Sequence, residues 1–250
     1  MAALASGCMV ASNELRRALC GPGFFVVDNV DRDKESALLI SAAYDASRRF
    51  HGVELQVRSA NPDWVKTKWT NSKASQGSNC RSWFTAAGGR AWPSQEEHPG
   101  FTTSISAFDA YVAGIAALLA VSVGRALALS SERCDSLAKA PSESMLRVLR
   151  YAPAPDDSTP RLGIPAHVDF GDFTLCHSLW EGLEVLDRET GEWQPLPTHE
   201  LCFISGSGLE TTTKDHQHQV RAVQHRVMMS AVERLSFCRL HGVSARQSGA

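Results

Sequence analysis

The sequence predicts an α+β, mainly β protein, with a helical N-terminal layer packed on an all-β C-terminal half. Two observations carry this. From Met145 onward, short apolar segments alternate with turn residues, the texture of a sandwich or barrel. Ahead of Met145, the longer apolar stretches keep helical spacing instead.

Taken in order, Phe24-Phe25-Val26-Val27 reads as a strand of β-branched and aromatic residues. A helical pattern runs from Lys34 to Phe50, with Leu38, Leu39, Ala42 and Ala43 as its apolar side. Residues Asn61 to Gly100 are rich in Ser, Asn, Gly and Pro and hold Trp64, Trp69, Trp83 and Trp92. They read as a long ordered loop whose tryptophans either plug the side of the core or line a substrate pocket. Ala110 to Leu129 is the most apolar stretch, and Phe108, Val112, Ile115, Leu119 and Leu129 recur on one helical stripe. With Arg125 near its end, it reads as a buried helix and not a membrane span. The expected strands are Met145 to Tyr151, Phe173 to Leu179, Leu183 to Leu186, Leu201 to Ile204, Val220 to Met229 and Leu235 to Leu240. Pro153, Pro155, Pro160, Gly171, Gly182, Gly191, Gly206 and Gly208 punctuate them. No linker separates the halves.

Composition narrows the partners. The 250 residues are 43% apolar and 21% charged, ordinary for a soluble globular protein. A net charge of -2 without a basic block argues against nucleic acid, and no segment argues for a membrane. The seven cysteines are odd in number and scattered, which points to a reducing compartment rather than a disulfide framework. The start of the chain lacks the basic-then-apolar pattern of a signal peptide, so a cytoplasmic location is expected.

The chemistry concentrates around His167-Val168-Asp169. In an extended strand, side chains two apart share a face, so His167 and Asp169 can aim at one ion. Two histidines and one carboxylate form a facial triad that leaves positions open on iron. Downstream candidates for the third ligand are His177, His199, His216, His218 and His225. His225 opens the strand-like run His225-Arg226-Val227-Met228-Met229, and it is the choice on local context. Beyond it, Arg234 and Ser236 share a strand face opposite Leu235 and Phe237. A guanidinium fork and a hydroxyl together make a carboxylate clamp.

These blocks resemble, in order, the 2-oxoglutarate- and Fe(II)-dependent dioxygenases, in the branch similar to isopenicillin N synthase and the plant flavonoid and gibberellin oxygenases. Leu149-Arg150-Tyr151-Ala152-Pro153 resembles the family's tyrosine-proline segment. His167 to Leu175 resembles its H-T-D-x-x-x-x-T-L stretch. Gly182-Leu183-Glu184-Val185 with Trp193 resembles G-L-Q-V…W, and Leu201 to Glu210 resembles the strand carrying G-D-x-L-E. His225-Arg226-Val227 and Arg234-Leu235-Ser236 match H-R-V and R-x-S. The 55 residues between Asp169 and His225 match the family's spacing. Ser207-Gly208 departs from the usual Gly-Asp.

The resemblance implies a double-stranded β-helix, or jelly roll. It implies a single domain over residues 1–250, with 1–142 as helical and loop support and 143–240 as the core. It implies Fe(II) on His167, Asp169 and His225, and 2-oxoglutarate on Arg234 and Ser236, with Tyr151 hydrogen bonding to cosubstrate or substrate. The implied reaction uses O2 to hydroxylate or desaturate a small molecule, releasing succinate and CO2. Two other readings stay open: an isopenicillin N synthase-like oxidase that does not use 2-oxoglutarate, and an inactive jelly-roll binding module.

Overall fold

The computed structural model describes residues 9–27, 33–60, 71–75, 78–87, 92–139, 144–154 and 161–242. Trp64 and Trp69 lie outside the described residues. The helices are α1 (Met9–Cys20), α2 (Lys34–Ala60), α3 (Phe101–Ala126), α4 (Ser131–Lys139) and α5 (Ser207–Thr213). The strands are β1 (Phe24–Val27), β2 (Asn71–Ser75), β3 (Ser78–Ala87), β4 (Met145–Tyr151), β5 (Leu162–His167), β6 (Phe173–Ser178), β7 (Leu183–Leu186), β8 (Trp193–Pro195), β9 (Leu201–Ser205), β10 (His225–Met228) and β11 (Arg234–His241).

They form a seven-stranded sheet, β1-β9-β6-β11-β4-β3-β2, and a four-stranded sheet, β5-β10-β7-β8. Neighbouring strands pair antiparallel throughout. Antiparallel sheets stacked face to face put alternate residues between them. On β11, Leu235 and Phe237 join the cluster shared with the helices. Arg234, Ser236 and Cys238 line the space between the sheets. On β4, Leu146 and Val148 face the helices, while Leu149 and Tyr151 belong to the inter-sheet core with Val185, Ile204 and Val227.

The helices cover the outer face of the large sheet. α3, long and apolar enough to cross a membrane on those criteria alone, buries Ile105, Phe108, Val112, Leu119 and Val123. It packs against α1, α2, α4 and β11. Phe108 and Tyr44 of α2 both pack on the Phe237 ring, at 4.5 and 4.6 Å between centroids.

Four expectations are corrected. The helix read from Ala110 begins at Phe101, and the one read to Phe50 continues to Ala60. The region read as one long loop contains β2 and β3, which extend the large sheet from the edge of β4. These strands lack a period-two pattern, and pairing of β3 with β4, and of β2 with β3, supplies what propensity does not. Trp83 lies in β3, and Trp92 packs against the helical core, which suits the plug reading for that residue. The strand expected over Leu201 to Ile204 runs one residue further, to Ser205, and gives way to α5. The strand expected from Val220 begins only at His225.

Candidate metal centre

Sequence parity placed His167 and Asp169 on one strand, but β5 ends at His167 and Asp169 sits in the turn that follows. That turn is clamped from behind by the start of α5. Ser207 N–H donates to the Asp169 carbonyl at 2.8 Å, and Gly206 N–H to the Asp172 carbonyl at 2.9 Å. A Cβ on Gly206 would collide with the Gly171 carbonyl oxygen, so only glycine permits this approach. The Ser-Gly departure from the family pattern belongs to this clamp: Gly208 likewise lies against Asp172.

His225 opens β10 directly opposite His167, with the two rings 4.2 Å apart. One ligand atom from each of His167, Asp169 and His225 lies within 4.8 Å of the others. His225 Nε2 stands 3.6 Å from Asp169 Oδ2, and His167 Nε2 stands 3.8 Å from Asp169 Oδ1. Each imidazole is oriented through its other nitrogen. Nδ1–H of His167 donates to the Pro165 carbonyl at 2.9 Å, and that of His225 to the Val223 carbonyl at 3.2 Å. This tautomer leaves both Nε2 lone pairs pointing at the centre, as metal ligation requires. The Thr174 hydroxyl donates to Asp169 Oδ2 at 2.5 Å and fixes the carboxylate. His225 and Asp169 are nearly buried, whereas the His167 side chain is 37% exposed at the mouth.

Behind the cluster runs a cavity of ≈ 520 Å³, counted to its open mouth. Leu149, Ile164, Leu183 and Val227 give it apolar walls. At its far end lie Arg234, Ser236 and Tyr151. Arg234 is 2% exposed, and its Nε and both terminal nitrogens have no hydrogen-bond partner. The Tyr151 ring sits 5.1 Å from the guanidinium carbon, a cation–π contact that shields without neutralising. The Ser236 hydroxyl donates to the His177 carbonyl at 3.2 Å, and rotation about its C–O bond can turn that single proton to a carboxylate beside Arg234 instead. A buried, unpaired guanidinium costs several kcal/mol. A five-donor fork in that position suits a carboxylate. The three-ligand cluster and the orphaned arginine therefore fit Fe(II) and 2-oxoglutarate together.

The other histidines considered for the third ligand lie elsewhere. His177 faces the helices and bonds to the Tyr44 hydroxyl at 2.8 Å. His199 precedes β9, and His216 and His218 lie in the turns after α5. Sequence reading assigned no role to Thr174, Arg147, Cys176 or Cys238. Part of the signal was available: Arg147 and Cys238 share strand parity with residues that were named, and Thr174 stands inside a matched motif, whereas Cys176 had neither mark. Cys176 and Cys238 are direct cross-strand partners with sulfurs 3.3 Å apart. The contact with Cys238, together with burial, pushes the Cys176 thiol up, while the Cys176 contact pulls Cys238 down.

An antiparallel jelly roll holding an open His-Asp-His cluster, with an arginine buried beyond it, defines a non-haem iron oxygenase. Residues 142–240 match the model of the 2OG-Fe(II) oxygenase superfamily. The 2-oxoglutarate-dependent dioxygenase eupC of Phoma sp. is 27% identical over 217 residues, 82% of this chain and 67% of the relative. Rice flavanone 3-dioxygenase 3 is 30% identical over 99 residues, 38% of this chain and 29% of the relative. Among solved structures, a 2OG-Fe(II) oxygenase family protein from Caulobacter crescentus superposes with a TM-score of 0.76 at 22% identity, over 97% of this chain and 85% of the other. A full-length Neurospora crassa protein in complex with alpha-KG gives 0.73 at 13% identity, over 93% and 79%. Over residues 142–240, which hold the His-Asp-His cluster and the Arg234 and Ser236 side chains, the chain is similar to the 2-oxoglutarate- and Fe(II)-dependent oxygenases.

Proposed function

We propose that this protein hydroxylates or desaturates a small molecule, with His167, Asp169 and His225 holding Fe(II) and Arg234 and Ser236 holding the distal carboxylate of 2-oxoglutarate. When bound, iron and cosubstrate supply the oxidising power, as O2 is consumed in decarboxylating 2-oxoglutarate to succinate and CO2 and in oxidising a C–H bond.

The chain's own groups do the positioning. Pro165 and Val223 carbonyls hold the imidazoles in the ligating tautomer, and Thr174 holds Asp169. Arg234 neutralises the far end of the diacid, and Tyr151 packs beneath the guanidinium. Apolar walls keep water from the reacting centre. The relatives' names, which include a flavanone dioxygenase, favour a small-molecule substrate over nucleic acid or a membrane component. Free thiols at Cys176, Cys202 and Cys238 suit a reducing, cytoplasmic setting.

The observation that carries the reading is the unpaired Arg234 in the same cavity as the three-ligand cluster. Anaerobic addition of Fe(II) and 2-oxoglutarate tests it. A weak visible charge-transfer band is expected for the wild type, and it should vanish in Arg234→Ala. A His225→Ala variant that still held one iron per chain would sink the ligand assignment.

A further inference from the structure

The arginines of the sheet strands around the site divide into two groups. Arg150 pairs with Glu233 at 2.5 Å, Arg226 pairs with Glu184 at 2.7 Å, and Arg239 pairs with Asp109. Arg147 and Arg234 have no ion-pair partner among the described residues, and both line the cavity. Arg147 Nε is buried without a hydrogen bond. The cosubstrate accounts for Arg234. Nothing yet accounts for Arg147.

Register places the two at opposite ends. Arg234 pairs with Tyr151, whereas Arg147 pairs with Cys238 four residues further along β11. That separation is on the order of 13 Å along the strand. The Arg234 end lies beside Gly182, away from the ligands. The Arg147 end lies towards His241, whose carbonyl accepts from Asp172 N–H at 2.8 Å, three residues past Asp169. Arg147 therefore flanks the metal end of the cavity, where a substrate enters, and not the end where the cosubstrate is clamped.

Charge points the same way. Asp169 is the sole carboxylate among the described cavity-lining residues, and Thr174 and the metal position already engage it. With a divalent ion and a dianionic cosubstrate in place, the cavity keeps one uncompensated positive charge, at Arg147. Leu149 and Leu240 beside it are apolar.

We infer that Arg147 is a substrate-binding residue that selects a carboxylate on an otherwise apolar small molecule. This rests on the iron and 2-oxoglutarate reading above, and it narrows the substrate class to organic acids.

The test uses full-length protein loaded anaerobically with Mn(II) and 2-oxoglutarate, so that no turnover intervenes. Phenylacetate, 3-phenylpropionate and decanoate, each with its primary amide, are titrated by calorimetry. Wild type should bind at least one acid ~10-fold or more tighter than its amide. Arg147→Met should abolish that preference, and Arg147→Lys should restore part of it. 2-Oxoglutarate affinity, measured separately, should stay within about twofold of wild type in both variants. Arg147→Gln replaces Arg147→Met if the latter does not fold. Three outcomes would overturn the inference: no acid preferred by wild type, a preference that survives in Arg147→Met or Arg147→Gln, or a loss of 2-oxoglutarate affinity matching that of Arg234→Met. A wild type that bound neither Mn(II) nor 2-oxoglutarate would instead defeat the functional reading beneath it.

Discussion

The two sheets share the site but are built differently. β6, β9 and most of β11 are buried on both faces, between the helices and the small sheet. β7 and β10 alternate buried with half-buried, and β5 is largely open. The sealed sheet supplies Arg234 and Ser236, and the half-covered sheet and its turn supply His167, His225 and Asp169. A clamp for an invariant cosubstrate gains from a rigid support. Ligands that must admit gas and substrate need an open edge. On this division, clamp and metal should fail separately.

The largest expected effect tests that separation. Arg234→Met keeps an unbranched apolar stem but removes the fork. The KM for 2-oxoglutarate should rise ~100-fold or more, as for loss of a desolvated charged pair. Iron content after anaerobic reconstitution should stay near one per chain. Succinate release against 2-oxoglutarate concentration, with iron analysis alongside, measures both. Loss of iron in the same variant would break the division.

The next effect concerns stability. Phe237 is 1% exposed and packs between Tyr44 and Phe108 on the sealed sheet. Phe237→Ala should cost ~3–5 kcal/mol. Leu162 on β5 is 39% exposed, and Leu162→Ala should cost less than ~1 kcal/mol. Urea unfolding of the two variants compares the sheets directly. Equal losses would mean that the small sheet is as tightly built as the large one.

The same asymmetry governed what the sequence made legible. β4 and β7 were read with their observed limits because apolar runs end there at proline or glycine turns. The candidate trio was reached through a parity argument that the structure only half supports: Asp169 lies beside His167 because a turn folds it there, not because a strand continues. α5 was unreadable because its Ser-Gly-Ser-Gly start looks like a turn. It becomes a helix in backing the 169–172 turn, a tertiary requirement. β2 and β3 carry no pattern of their own, and the β4 edge organises them. Arg147 sat unmarked inside a strand that was correctly read. Its parity with Leu149 and Tyr151 already placed it in the cavity.

A third prediction probes the helical side of the large sheet by pH. His51 on α2 is buried, and desolvation, helped by the nearby Arg150 charge, lowers its pKa to about 3. Its folded pKa lies below the unfolded value of about 6.5. The stabilisation from the neutral ring is therefore complete above pH 6.5 and is lost as pH falls towards 3. Between pH 7 and pH 5 the loss should be about 2 kcal/mol. His241, also lowered by burial, adds in the same direction. Urea midpoints at the two pH values should fall less in His51→Gln than in wild type. Parallel falls would remove His51 from the account.

The smallest effect belongs to the outer face of the small sheet. Arg226 and Glu184 are cross-strand partners on β10 and β7, with Nε and Oε2 2.7 Å apart. The guanidinium also stacks over Trp193, 4.2 Å from the ring centroid. Both side chains are about three-quarters buried, at 26% and 21% exposure, so solvent screens the pair less than a surface bridge. A double-mutant cycle of Arg226→Gln and Glu184→Gln should give a coupling of about 1 kcal/mol, with iron content and the KM for 2-oxoglutarate unchanged. The pair neighbours His225 in sequence, but its side chains point away from the cavity. A change in iron affinity in Arg226→Gln would therefore mean that the half-covered sheet transmits strain across its thickness to the ligand it carries. The small sheet would then be a working part of the metal centre and not merely its support.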